Sequence, residues 1–175
     1  MVVIETQRLR LRPARPDDVE ALHSVLSSPE AVRYWSTPPH PDLARTRQWL
    51  ESMIDIPAGE GEDFVVELDG RVIGKAGLYR FPEIGFILHP DAWGRGLAGE
   101  AVEAVIDRGF RVHGLDTVVA DVDPRNQACL RLLQRRGFKE TGRRLRSWCV
   151  GGVWCDSVDL ALSRGDWLVG VAQRA

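Results

Sequence analysis

The order of elements along the chain predicts a mixed α+β fold in a single domain over residues 1–175. Three observations predict it: period-two alternation near the start, two-residue turn signals joining neighbouring strands, and helical stripes set between short apolar strands without regular strand-helix repetition. A length of 175 residues gives one sizeable core and no room for two nucleotide-binding halves plus a substrate domain.

In "RLRLRP", Leu9 and Leu11 alternate with Arg8, Arg10 and Arg12 up to Pro13, as in a short edge strand whose arginines form a solvated face. Pro16, Asp17 and Asp18 open a helix carried by Val19, Leu22, Val25 and Leu26 and ended before Pro29. "YWSTPPHP" is irregular. A second helix runs from Leu43 through Thr46, Trp49, Leu50 and Met53 and stops near Pro57, with Trp49 on its core side. Residues 64–68 and 71–79 flank Asp69-Gly70, a hairpin signal, and "EIGFIL" supplies the next strand.

Beyond it, Ala98, Ala101, Val102, Val105, Ile106 and Phe110 form one helical stripe. "TVVADV" reads as a buried strand, Asn126 as a helix N-cap, and Arg135, Arg136 and Gly137 as the end of the helix that Leu130, Leu132 and Leu133 carry. From Phe138 the chain returns to strand. Residues 143–150 and 153–162 then close the chain as a hairpin through Gly151-Gly152.

Lys and Arg number 23 against 25 Asp and Glu, so a net charge of -2 gives no general attraction to nucleic acid or an anionic membrane. No signal-peptide core or bilayer-length apolar run is present, and a cytoplasmic location is expected. Cys129, Cys149 and Cys155 are odd in number and lack C-x-x-C spacing, so free thiols are expected. His40, His89 and His113 have no paired spacing either, and no metal is expected.

The stretch "WGRGLAGEA" contains Gly94-x-Gly96-x-x-Gly99, the glycine spacing of a dinucleotide-binding turn, with Asp121 near the position of its acidic partner. The context rejects that reading. The fingerprint belongs on the first strand-helix turn of a parallel sheet, whereas here a hairpin and two helices precede it and an antiparallel ending follows. A phosphate remains the natural guest, because glycine N–H groups precede a helix N-terminus carrying roughly half a positive charge. The absent Gly-Lys-Ser/Thr ending argues against a nucleotide-hydrolase loop.

The segments "ETQRLRLRP", "EIGFILHPDAWGRGLAGEA", "NQACLRLLQRRGF" and "GGVWCDSVDLAL", in that order over nearly the whole chain, resemble the GNAT acetyltransferases. Within them the likeness is to the RimJ/RimL-type branch, which acetylates ribosomal-protein N-termini and related small acceptors. The resemblance implies a GNAT fold: a central, mostly antiparallel twisted sheet of six to seven strands with about four helices and a splayed parallel pair, here "EIGFIL" and "TVVADV". It implies acetyl-CoA as cosubstrate. Carried over, Gly94, Arg95, Gly96, Leu97, Ala98 and Gly99 cradle its pyrophosphate, Ile87 and Leu88 offer backbone groups to the pantetheine, and Asn126 bonds the same arm. Trp93 stands where the superfamily often has Gln or Arg and is read as packing. The tyrosine that serves many relatives as general acid would fall near Leu133, and Cys129 replaces a serine common in this branch.

Direct attack by the amine needs no enzyme nucleophile, but it needs a neutral nitrogen, oxyanion donors and a proton for the departing thiolate. An α-amine has a pKa near 8, whereas a lysine near 10.4 would have to be lowered by about three, roughly 4 kcal/mol. Glu83 is the candidate base, with a structural salt bridge as the alternative. Cys129 is a candidate hydrogen-bond or proton donor to the CoA sulfur, or a small buried hydrophobe. Tyr34 and Trp35 either line the acceptor pocket or simply pack, and Trp148 and Trp154 either flank the acceptor or fill a hairpin face. The function expected is N-acetyl transfer to a protein N-terminal α-amine or a small amine, by a monomer or homodimer. The alternatives are a small-molecule acetyltransferase and a CoA-binding sensor without turnover.

Overall fold

A computed structural model describes residues 2–174, with the Arg174 side chain outside the description. The chain runs β1 (Ile4–Glu5), β2 (Leu9–Arg12), α1 (Val19–Leu26), α2 (Leu43–Ile54), β3 (Glu62–Leu68), β4 (Arg71–Arg80) and β5 (Glu83–Leu88). It continues through α3 (Leu97–Arg111), β6 (Thr117–Val122), α4 (Gln127–Gln134), β7 (Lys139–Val150), β8 (Val153–Ser163) and α5 (Arg164–Arg174). All the strands join one sheet in the order β1-β2-β3-β4-β5-β6-β8-β7, antiparallel throughout except for β5 and β6.

The expected fold class holds, with one more strand and one more helix than the sequence suggested. The two-residue β1 is too short for periodicity to register, and α5 begins at the residue after β8 without a separating turn signal. At the β3–β4 hairpin, Asp69 and Gly70 have φ of 50° and 75°, the positive pair that a tight primed turn requires.

Strand alternation sorts the core between the two sheet faces. On one face Val65 and Ile87 pack with Leu22, Val25, Leu26, Leu50 and Met53 of α1 and α2. On the other, Phe64, Val66, Ala76, Leu78, Ile84 and Leu88 meet Val102, Val105, Ile106 and Phe110 of α3. Trp167 of α5 closes that layer beside Phe110, with ring centroids 6.4 Å apart.

The expected solvated arginine face of β2 needs correcting at Arg12. Arg12 is 5% exposed and donates to Asp18 at 2.7 and 2.9 Å and to Glu67 at 2.7 Å, because the turn Pro16–Asp18 folds back over the strand end. Among the described residues no helix is long and apolar enough to cross a membrane, and no cluster of potential metal ligands occurs.

Candidate active site

After β5 a single turn, Pro90–Ala92, delivers the chain to the glycine loop. Trp93 is 45% exposed, so it is not the packing residue expected; its indole N–H donates to the Leu88 carbonyl at 2.9 Å and clasps the loop to β5. Gly94 and Gly96 have φ of 71° and 75°, and Gly96 is the N-cap of α3. Side chains resist that conformation, so these glycines let the chain turn sharply into the helix. Among the described residues, no protein acceptor takes the N–H groups of Gly94, Arg95, Gly96, Leu97, Ala98 or Gly99. They gather where the fifteen-residue α3 carries its partial positive charge.

A strap holds this loop from the turn between β1 and β2. Arg8 donates to the Arg95 carbonyl at 2.8 Å and to Glu100 at 2.7 Å, and the Thr6 hydroxyl donates to Glu100 at 2.6 Å. Desolvation alone would raise the Glu100 carboxyl, but Thr6 and Arg8 outweigh it and hold the group below the usual carboxylate range. Gly99 differs from the other loop glycines. A Cβ there would collide with the Arg136 guanidinium, which donates to the Gly99 carbonyl at 3.1 Å, so its small size seats α4 against α3 rather than admitting a ligand.

Beside the loop the sheet opens. β5 and β6 share the single rung Glu83–Val119, with Val119 N–H donating to the Pro82 carbonyl at 3.0 Å, and then part. Strand alternation decides which main-chain groups face the gap. His89 N–H bonds the Ile73 carbonyl on β4, so two residues back Ile87 pairs with Lys75 on that same side. That register directs the Ile87 backbone toward β4, unlike the expectation for it, and directs the main chain of Phe86 and the Leu88 N–H toward the gap, the Leu88 carbonyl being held by Trp93. Phe86 was not singled out from the sequence, because only the register with β4 distinguishes it.

Across the gap Asn126 caps α4, its side-chain oxygen accepting from Cys129 N–H at 3.2 Å. Its amide donors meet no protein acceptor among the described residues. Cys129 packs against the α3-side core, and burial pushes its thiol up to about 12, making it a weaker acid than an ordinary thiol.

On the α1–α2 face a cleft of about 500 Å³ opens at the shared rung. Glu83, Tyr34 and Trp35 all line it, so the candidate base and both acceptor-pocket candidates come together although nearly fifty residues separate them. Trp49 packs against the α1–α2 core as expected and also reaches the cleft wall, while Trp148 lines the opposite side. Trp154 stays on the exposed hairpin under Arg146.

Glu83 Oε2 accepts from Arg80 at 2.6 Å, with the Glu83 side chain 16% exposed. Burial and that carboxylate push the adjacent Tyr79 phenol up, so Tyr79 stays protonated in the cleft wall. Asp121 accepts at one oxygen from both Arg144 and Trp148, each at 2.7 Å. Asp63 and Lys75 form an ion pair on the cleft floor. Tyr79, Asp63, Lys75 and Asp121 carry no local motif, so their convergence had no signal in the sequence.

Unclaimed amides at a helix head, an open strand gap and free donors on Asn126 fit a diphosphate followed by an extended amide-bearing arm. Residues on both sides of the gap, Glu83 and Gly85 of β5 and Asp121 of β6, also line the cleft.

The chain matches the family model described as acetyltransferase (GNAT) domain over residues 8–139. It is 31% identical over 151 residues to an N-acetyltransferase of Bacillus licheniformis, covering 81% of this chain and 85% of the relative. It is 24% identical to the spermidine N(1)-acetyltransferase of Escherichia coli K12, covering 91% and 88%. A solved ribosomal L7/L12 alpha-N-protein acetyltransferase in complex with coenzyme A superposes with a TM-score of 0.82 at 20% identity, covering 93% of this chain and 98% of that one.

Proposed function

This chain belongs to the GNAT acetyltransferase family and is an acetyl-CoA-dependent N-acetyltransferase, and from that premise we propose that its acceptor is a weakly basic primary amine, foremost a peptide or protein N-terminal α-amine. Such an acceptor belongs to the RimJ/RimL-type branch and to a cytoplasmic enzyme. The observation that carries the reading is the position of Glu83: it stands on the last rung shared by the two diverging strands and faces the cleft that Tyr34 and Trp35 line.

When bound, acetyl-CoA supplies the thioester carbonyl that the amine attacks. The amides of residues 94–99 hold its diphosphate, the main chain of Phe86 and Leu88 and the Asn126 side chain orient its arm, and α3 contributes its N-terminal charge. Arg80 fixes Glu83 Oε2, and the carboxylate receives the proton that the amine sheds. The aromatic walls exclude water around the reacting nitrogen. Cys129, a weak acid beneath Asn126, is given only a hydrogen bond to the departing sulfur.

A second reading has its own observation. Asp121, Asp123 and Asp156 line the same cleft, and a second ammonium group on the acceptor would find carboxylates there. The Escherichia coli relative is named for spermidine, a small polycation.

Thiol release from acetyl-CoA, measured with a panel of N-terminal peptides, spermidine and aminoglycosides, tests these readings. Higher kcat/KM on peptides supports the α-amine, and higher kcat/KM on spermidine supports the polycation. Tight coenzyme A binding without turnover on any amine would make the protein a sensor and overturn both.

A further inference from the structure

The cleft floor holds a charge pair that the reaction described above does not use. Lys75 of β4 donates to Asp63 of β3 at 2.9 Å, and each side chain is 3% exposed. Burying such a pair is costly, and apolar residues of similar volume often stabilise a protein as well. The strands around it pack closely. A Cβ at Gly77 would collide with the main chain of β3 as well as with the Asp63 carboxylate, and one at Gly85 would lie 3.3 Å from the Lys75 ammonium and 3.1 Å from the Tyr79 ring.

What Lys75 touches defines its role. Besides Asp63, its ammonium donates to the Gly85 carbonyl at 3.2 Å, two residues beyond Glu83 on β5. It lies 5.5 Å from the Trp35 ring centre and 5.4 Å from that of Tyr79. Among the described residues the buried Trp35 indole N–H has no hydrogen-bond partner, and the cation on its ring face is a polar hold on this side chain. One ammonium thus joins three elements of the cleft: the loop after α1, β4, and the strand that carries Glu83.

We infer that Lys75, neutralised by Asp63, is a positioning residue that pins Trp35 and Tyr79 to β5 and so fixes the width of the acceptor pocket opposite Glu83. It neither touches the reacting atoms nor exchanges a proton with them. The inference rests on the reading of this cleft as the acceptor site. Its effect belongs to recognition of the amine, while acetyl-CoA, gripped by the glycine loop and the strand gap, is handled independently.

The test uses the full chain and the best amine from the panel. Lys75→Met alone strands a buried carboxylate and risks misfolding, so Asp63→Asn/Lys75→Met, which leaves no unpaired charge, is measured beside it, with Trp35→Ala and Glu83→Gln as references. The folded double variant is expected to raise KM for the amine about tenfold while KM for acetyl-CoA stays within about twofold. A wild-type amine KM in the folded double variant, with Trp35→Ala raising it, overturns the positioning role and leaves the acceptor cleft intact. If Trp35→Ala and Glu83→Gln also leave the amine kinetics unchanged, the cleft is not the acceptor site and both readings fall. A parallel rise in both KM values shows general loosening and overturns the inference as well.

Discussion

The glycine loop and the proposed acceptor cleft meet at the gap between β5 and β6, yet they are made of different materials. The loop is built from main chain: its amides are unclaimed among the described residues, and what precedes α3 is short, local and set by glycines at fixed spacing. The cleft is built from side chains that already have partners, Lys75 with Asp63, Glu83 with Arg80, and Asp121 with Arg144 and Trp148. A backbone site serves any ligand with the right phosphate geometry, which suits a cosubstrate common to a whole family. A site of paired side chains is fixed before the ligand arrives, which suits an acceptor peculiar to one member.

Substitutions at four positions break or sharpen that contrast. Glu83→Gln should lower kcat by about 100-fold at pH 7 and by less at pH 9, where more amine is neutral without a base; a pH–rate profile parallel to wild type would remove Glu83 from the chemistry. Gly96→Val should raise KM for acetyl-CoA about 30-fold and leave the amine KM near wild type, because a β-branched residue at this φ distorts the loop alone. Steady-state kinetics in both substrates checks the separation.

Asn126→Asp keeps the oxygen that caps α4 but removes the free amide donors. It should raise KM for acetyl-CoA about threefold with little change in melting temperature, whereas Asn126→Ala should also lose about 1 kcal/mol of stability. The smallest effect belongs to the strap. Glu100 titrates below its usual range in the folded chain, so its contribution to stability is full above the unfolded value near 4.3 and is lost as pH falls through the lowered one. Glu100→Gln should lower the melting temperature at pH 7 by about 2–4 °C, and the difference should vanish in acid.

The same contrast explains what was legible beforehand. The strands "EIGFIL" and "TVVADV", the Asp69-Gly70 turn, the head of α3 and the Asn126 cap all follow from near neighbours in sequence, and the structure has them where expected. The shared cleft of Glu83, Tyr34 and Trp35 came from resemblance combined with residue chemistry. Local pattern failed where distant strands decide. Alternation alone made Arg12 a surface residue, while Asp18 and Glu67 arrive from other elements to bury it. Ile87 and Phe86 look interchangeable as backbone donors until the register with β4 is known. Lys75 and Asp63 are ordinary charged residues in a hairpin until packing removes them from water.

Because β5 and β6 share one rung, the sheet is two ribbons joined at Glu83 and Val119. The N–H groups of Phe86 and Leu88 that face the opening lack a ladder partner on β6, so their amide hydrogens should trade with deuterated solvent faster than those paired to β4. A ligand arm bridging the ribbons would complete the missing ladder, slowing that trade and stiffening both halves together. Cosubstrate occupancy would then be recorded in the rigidity of the whole sheet, including the wall on which the second reactant is received.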